Sequence, residues 1–221
     1  MKALGFWIST GLSALLATSG VHADTSDTIY VDRGSIYTAA GERLVMRGFN
    51  EMFVWSDDKT GQRLIPEINK TGANTLRLVW DTATDKRDLI KLIETTLAHN
   101  MIAIPECHDA TGKWGKALQA CVDFWNDPRL IDTIQDNKAW TIVNIANEAG
   151  DHSITDDDFI ASYSKAITQL RDWGYTVPIM IDAAGWGQNI DQLLRVGKTL
   201  LDHDPLHNVI FSAHSYWSTE D

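Results

Sequence analysis

The chain has 221 residues, 44% of them hydrophobic, with 30 acidic against 19 basic side chains and a formal net charge of −11. That is apolar matter enough for one large core. The acidic balance argues against nucleic acid as a partner and for a soluble protein that meets a neutral substrate.

Met1 to Ala23 begins with Lys2, runs through ALGFWISTGLSALLATSGV and closes on Val21-His22-Ala23, the small-x-small pattern of a cleaved secretory signal peptide. Ser9, Thr10, Gly11, Ser13, Thr18, Ser19 and Gly20 interrupt its apolar part, which argues against a membrane anchor. Residues 24–221 are then expected as one exported domain, extracellular or periplasmic, with no membrane partner once the leader is gone. Export permits a disulfide between the only two cysteines, Cys107 and Cys121, and two reduced, buried thiols are the other reading.

TIYV and SIYT flank Asp32-Arg33-Gly34, a short hairpin of the kind that caps a barrel floor. Apolar, β-branched runs follow at LVMRGFN (44–50), NTLRLVW (74–80), MIAIPECHD (101–109), WTIVNIANE (140–148), VPIMIDA (177–183) and NVIFSAHSYW (208–217). Amphipathic stretches lie between them. Leu89, Ile90, Ile93 and Leu97 share one helical face, as do Phe159, Tyr163, Ile167 and Leu170. Thr155 with Asp158 forms an N-cap pair, and Gly72 and Gly174 stand where helices stop. Continuous apolar strands alternating with helices predict an α/β fold with a parallel sheet covered on both faces.

Two parallel architectures satisfy that pattern. A doubly wound nucleotide binder needs a glycine-rich turn after its first strand, but GFNEMFVW stands there. Nearly every strand finishes on polar or aromatic residues: Asn50 and Glu51, Arg77 and Trp80, His108 and Asp109, Asn147 and Glu148, Asp182, His214 and Tyr216. Side chains from several strand ends converge on one face in a (β/α)8 TIM barrel. The chain supplies its first six βα units.

Glu148 ends an apolar run, where a carboxylate is costly to desolvate unless it is paired or used. Retaining glycoside hydrolysis uses two carboxyl groups, one protonated to release the leaving oxygen and one ionised to attack the anomeric carbon. Glu148 suits the first role, Asn147 could hold a sugar hydroxyl, and Arg77, His108, His214 and Tyr216 are donors suited to a second carboxylate.

The segments RGFN (47–50), GANTLRLVW (72–80), MIAIPECHDATG (101–112), VNIANEAGD (143–151), IDAAGWGQN (181–189) and FSAHSYW (211–217) give the chain its resemblance to glycoside hydrolase family 5. This family holds cellulases and β-mannanases that are retaining (β/α)8 enzymes, and the chain is most similar to the bacterial β-mannanase branch. The resemblance implies Glu148 as acid/base with Asn147 as its substrate-binding neighbour. It implies Arg77 and Tyr216 as supports of the nucleophile, and His108 and His214 as residues that position substrate and catalytic groups. It also implies endo-acting cleavage of β-1,4 linkages in a plant cell-wall polysaccharide, mannan before cellulose or β-glucan, by a monomer with no cofactor and no metal.

The chain departs from the family in two places. Ala149 stands where a proline usually follows the Asn-Glu pair. The family's nucleophilic glutamate ends a seventh strand, whereas this sequence stops at Asp221, and Glu220 follows HSYWST in a loop instead of ending a further strand. The chain as written is therefore expected to lack the nucleophile and to be inactive alone.

Trp55, Trp80, Trp114, Trp186 and Trp217 fall at strand ends or in the loops after them, where an indole can stack on a sugar. Trp114, Trp186 and Trp217 are favoured for substrate, while Trp125, Trp140 and Trp173 read as core. Two rival readings remain. One is a non-catalytic carbohydrate-binding remnant of such a barrel; the other is a metal-dependent hydrolase using Glu106, His108, Asp109, Asp182 and His214, disfavoured because the first strand offers no histidine pair.

Overall fold

The computed structural model describes residues 26–216. The predicted leader, Trp217 and Glu220 lie outside the described residues.

The predicted hairpin forms β1 (Tyr30–Asp32) and β2 (Ser35–Tyr37), antiparallel with Asp32 opposite Ser35. Its two turn residues, Arg33 and Gly34, both have positive φ (46° and 74°), the twist that a two-residue hairpin loop requires. A third strand, β3 (Arg43–Leu44), pairs with β2. The run predicted as one strand over 44–50 is thus divided, with Leu44 in this small sheet and β4 (Gly48–Glu51) opening the large one. The break comes from Asn74, whose side chain accepts from the Arg47 amide (2.7 Å) and donates to the Val45 carbonyl (2.9 Å), taking the groups a ladder would use.

The large sheet is parallel, with strands in chain order: β4, β5 (Thr75–Trp80), β6 (Ile102–Cys107), β7 (Val143–Asn144), β8 (Ile179–Asp182) and β9 (Val209–Ser212). The connections carry α1 (Leu64–Asn69), α2 (Lys86–Ala98), the pair α3 (Lys116–Phe124) and α4 (Pro128–Asp136), α5 (Asp156–Asp172) and α6 (Ile190–His203). Sequential parallel strands with every crossover helical form the arc of a (β/α)8 barrel.

Local sequence explains the helices. In α5, Thr155 accepts from the Asp158 amide (3.1 Å), Phe159, Tyr163, Ile167 and Leu170 are buried as their spacing predicts, and Gly174 closes the end at φ 98°. In α2 the buried face is Leu89, Leu92 and Ile93, with Ile90 and Leu97 only partly covered. The core has two compartments. A large one lies between sheet and helices, and a smaller one inside the sheet gathers Ile29, Ile102, Ile104, Ile142, Met180 and Ile210. Val31, Ile36, Leu44 and Met46 close the smaller one from the floor.

Two ties fasten this frame. Cys107 at the end of β6 and Cys121 in α3 are joined as a disulfide, both fully buried. Beneath the barrel, Arg171 at the end of α5 meets both oxygens of Asp204 at 2.9 Å and donates to the carbonyls of Tyr175 (2.7 Å), Val177 (2.8 Å) and Asn208 (3.3 Å).

The strand predicted over 140–148 is much shorter. Regular pairing ends at Asn144, after which Ile145 donates to the Met180 carbonyl (3.1 Å) and Asn147 to that of Cys107 (2.8 Å). The backbone swings from one neighbouring strand to the other and delivers Glu148 in the left-handed region, at φ 46°.

Candidate active site

The carboxyl ends of the strands bring their polar residues to one face. Arg77, on β5, extends along the inside of the sheet with its side chain only 14% exposed. It donates to Asn144 (2.6 and 3.0 Å), Asn147 (2.9 Å), Asn50 (2.9 Å), Asp182 (3.2 Å) and Glu106 (3.4 Å). A guanidinium has five donors in a rigid plane, so one residue locks five strand ends together.

Glu106 is fully buried. Burial pushes its carboxyl above the usual range, further than His108 and Arg77 pull it down. His108 turns Nδ1 onto its Oε1 at 2.9 Å, while Oε2 has no hydrogen-bond partner. Asp182 is equally buried, and burial alone would raise it. The hydrogen bond from His214, the Arg77 charge and the Glu148 amide outweigh that and hold it below the ordinary carboxylate range.

Glu148 is anchored at both ends. Its amide donates to Asp182 Oδ2 (3.1 Å) and its Oε1 lies 2.6 Å from His214 Nδ1. The other imidazole nitrogen, Nε2, is 3.3 Å from the same Asp182 Oδ2. Burial works against charging His214, yet Asp182 and Glu148 together raise its pKa above the ordinary value. The His214 amide donates to the Gly187 carbonyl (2.8 Å). Gly187 must be glycine: its φ is 80°, and a Cβ there would stand 2.7 Å from the His214 ring. Asn147 has its carbonyl oxygen on Arg77 and its amide on Thr111 Oγ1 (2.8 Å), so its orientation is fixed before any ligand arrives.

These groups border a cleft of about 350 Å³ lined by Asn50, Met52, Arg77, His108, Asn147, Glu148, His214, Ser215 and Tyr216. All six predicted polar residues, Arg77, His108, Asn147, Glu148, His214 and Tyr216, meet there. Tyr216 is 67% exposed with its ring 6.0 Å from that of His214. Partial burial and the hydrogen bond with Glu148 raise its phenol.

The tryptophans divide differently from expectation. Trp186 is 43% exposed, edge-on to His152 at 5.6 Å. Trp114 turns inward, stacking on Phe159 (5.9 Å) and meeting Tyr163 edge-on (5.8 Å), and so belongs to the helix layer and not to the cleft. The left-handed Gly115 that follows starts α3 directly behind it. Trp80 is fully buried, because its register opposite Cys107 directs it to the same layer. Trp140, expected in the core, is 47% exposed at the opposite end of the sheet, one residue before pairing begins at Thr141. Trp55, placed by the sequence at a strand end but not among the three favoured for substrate, is 58% exposed with its ring edge-on to His108 at 5.2 Å.

The sequence counted Glu106 and Asp182 as potential metal ligands, Asp182 also as a polar strand end and Glu106 also as a partner for a barrel-interior Arg77. In the structure they receive Arg77, His108 and His214, and among the described residues no group of three or more His, Cys, Asp or Glu side chains is arranged to hold a metal ion. Their signal was an acid inside an apolar run, IAIPEC and IMID, which needs a buried partner.

The cluster thus lies at the carboxyl face of a partial eight-fold barrel. The chain belongs to glycosyl hydrolase family 5, whose cellulase model matches residues 37–221. It is 38% identical over 198 residues to a mannan endo-1,4-beta-mannosidase of Salipaludibacillus agaradhaerens, covering 85% of this chain and 61% of the relative. It is 32% identical over 216 residues to one of Cellvibrio japonicus, covering 93% of this chain and 49% of the relative. Among solved structures, the catalytic domain of a mannanase from Streptomyces sp. SirexAA-E superposes with a TM-score of 0.77 at 27% identity, covering 93% of this chain and 66% of the other. A Thermomonospora fusca β-mannanase in complex with mannohexaose gives 0.78 at 27% identity, covering 86% and 66%. The chain thus spans about half to two thirds of the length of these four proteins.

Proposed function

We propose that residues 24–221 are the acid/base-bearing part of the catalytic domain of a secreted, retaining, endo-acting glycoside hydrolase. The proposed substrate is a β-1,4-linked plant cell-wall polysaccharide, β-mannan ahead of cellulose or β-glucan. Family membership and the mannanase names of the relatives support the class. The observation that carries the reading is Glu148: among the described residues lining the cleft it is the only carboxylate, and one of its oxygens is taken by His214. Such a group can hold a proton on the other oxygen and give it to a glycosidic oxygen.

In the first step that proton passes from Glu148 to the departing oxygen as the C1–O bond breaks, while a second carboxylate bonds to C1. In the second step Glu148, now ionised, takes a proton from the water that displaces the carboxylate. The attacking group is assigned to a residue outside the described ones. Arg77 and Tyr216 would support it, His108 and Asn147 would bind sugar hydroxyls, and Trp186 and Trp217 would stack on sugar rings. Removal of Met1 to Ala23 on export belongs to the same proposal, and among the described residues no helix is long and apolar enough to cross a membrane.

Replacing Glu148 by Gln keeps the shape and removes the transferable proton. In the native protein, turnover of a β-mannoside with a poor leaving group should fall by at least about a hundredfold, and turnover of one with a good leaving group much less. Equal losses on the two substrates would refute the acid role. Unchanged rates on both would refute the reading of the site.

A further inference from the structure

Three atoms converge on one oxygen of a buried acid. Asp182 Oδ2 accepts the Glu148 amide at 3.1 Å, lies 3.3 Å from His214 Nε2 and receives Arg77 at 3.2 Å, while Oδ1 accepts from the Asn144 side chain at 3.1 Å. With His214 Nδ1 at 2.6 Å from Glu148 Oε1, the contacts close a ring that runs from the Glu148 amide through Asp182 and His214 to the Glu148 carboxyl. Asp182 is fully buried and is not among the residues lining the cleft.

We propose that Asp182 is a positioning residue for Glu148, keeping both nitrogens of His214 protonated so that the transferable proton of Glu148 resides on Oε2. This rests on the acid role of Glu148 argued above. The chemistry follows from counting donors. An imidazole has two nitrogens, and here each faces a carboxyl oxygen, an arrangement the imidazolium satisfies by donating twice. Were His214 neutral with its proton on Nε2, Nδ1 would be an acceptor, and the Glu148 proton would settle on Oε1, between Glu148 and His214 and turned from the substrate. With Nδ1 donating, Oε1 can only accept.

Among the described residues, every charged group facing His214 enters this balance. Asp182 of β8 and Glu148 after β7 favour the cation, Arg77 of β5 opposes it, and Tyr216 on its own segment adds a neutral phenol. The loop at Gly187 contributes only a backbone carbonyl to the His214 amide. Asp182 is the one carboxylate of the pair that is shielded from solvent and does not itself exchange protons in the reaction. It is therefore the fixed charge that faces His214.

The test begins with the unaltered chain, by ¹⁵N NMR of its histidines. His214 is expected to show two protonated ring nitrogens at neutral pH, and a neutral imidazole there would overturn the proposal. In Asp182→Asn the His214 titration should move to lower pH, and in the native protein the alkaline limb of the pH–rate profile should move with it. kcat should fall about ten- to a hundredfold, the effect of losing one charge-assisted hydrogen bond, with KM little changed. Asp182→Glu, which keeps the charge, should restore the titration. A His214 titration that is the same in the wild type and Asp182→Asn would overturn the idea. So would a uniform loss in kcat across pH with the limb unmoved, which is the mark of a purely structural role. Because the histidine titration is read without substrate, its outcome is separate from that of the Glu148→Gln comparison.

Discussion

Arg171→Ala removes the clamp beneath the barrel. The guanidinium is 6% exposed and its partner Asp204 fully buried, so the substitution strands a carboxylate in the interior. Breaking a buried pair from one side costs about 3–5 kcal/mol. Three carbonyls, those of Tyr175, Val177 and Asn208, also lose a donor, at roughly 1 kcal/mol each where water does not replace it. A loss of about 5 kcal/mol is expected, against a total stability typically of about 5–15 kcal/mol. With a urea slope of about 2–3 kcal/mol/M for a chain of this size, the unfolding midpoint should drop by about 2 M, followed by tryptophan fluorescence.

The pH dependence has a definite sign. Burial raises Asp204, but its hydrogen bonds with Arg171, the Arg171 charge and the Asn208 and Leu206 amides outweigh it and leave the folded pKa below the ordinary value. The stability from this pair is therefore complete above the unfolded pKa and lost as pH falls through the lower folded one. The gap between wild type and Arg171→Ala should accordingly narrow in acid. Arg171→Leu combined with Asp204→Leu should recover more than half the loss, since no unpaired charge is left. The clamp lies at the opposite end of the barrel from the cleft, so oligosaccharide affinity under folding conditions should stay within about twofold. A midpoint shift under about 0.3 M, or a gap equally wide at acid and neutral pH, would refute this reasoning.

The Cys107–Cys121 bridge closes a loop of sequence separation 14, so Cys107→Ser with Cys121→Ser should lower stability by about 3 kcal/mol, seen as a urea midpoint that no longer responds to reductant. Gly187→Ala forces a Cβ to 2.7 Å from His214; kcat should fall at least about tenfold with a smaller change in KM, measured by steady-state kinetics. Trp186→Ala should weaken mannooligosaccharide binding by calorimetry and leave the melting temperature nearly unchanged. Trp114→Ala should do the reverse, costing about 3 kcal/mol of stability with affinity retained.

The runs singled out in the sequence contain all six large-sheet strands, because strands covered by helices are mostly apolar; β4 (GFNE), largely exposed, is the exception. Capping residues and glycines marked the helix ends for equally local reasons. The polar strand ends were legible too, since a charge at the end of an apolar run is anomalous wherever the run goes. What the sequence did not show was how these residues meet. Trp114, Trp186 and Trp55 share the same signal, an indole in a loop after a strand, yet one packs on Phe159, one lies against His152 and one lies against His108. The difference depends on backbone turns such as the left-handed Gly115 and Trp186. Likewise an Arg77–Glu106 pair was legible in the sequence, but that the same guanidinium also reaches Asp182, 105 residues away, was not. Local periodicity determines which face of an element is apolar, because that depends only on 3.6- or 2-residue repeats. Which buried charge receives which donor was decided by tertiary structure alone, because it depends on strand register and on where the chain turns, and those are set by contacts between residues far apart in the chain.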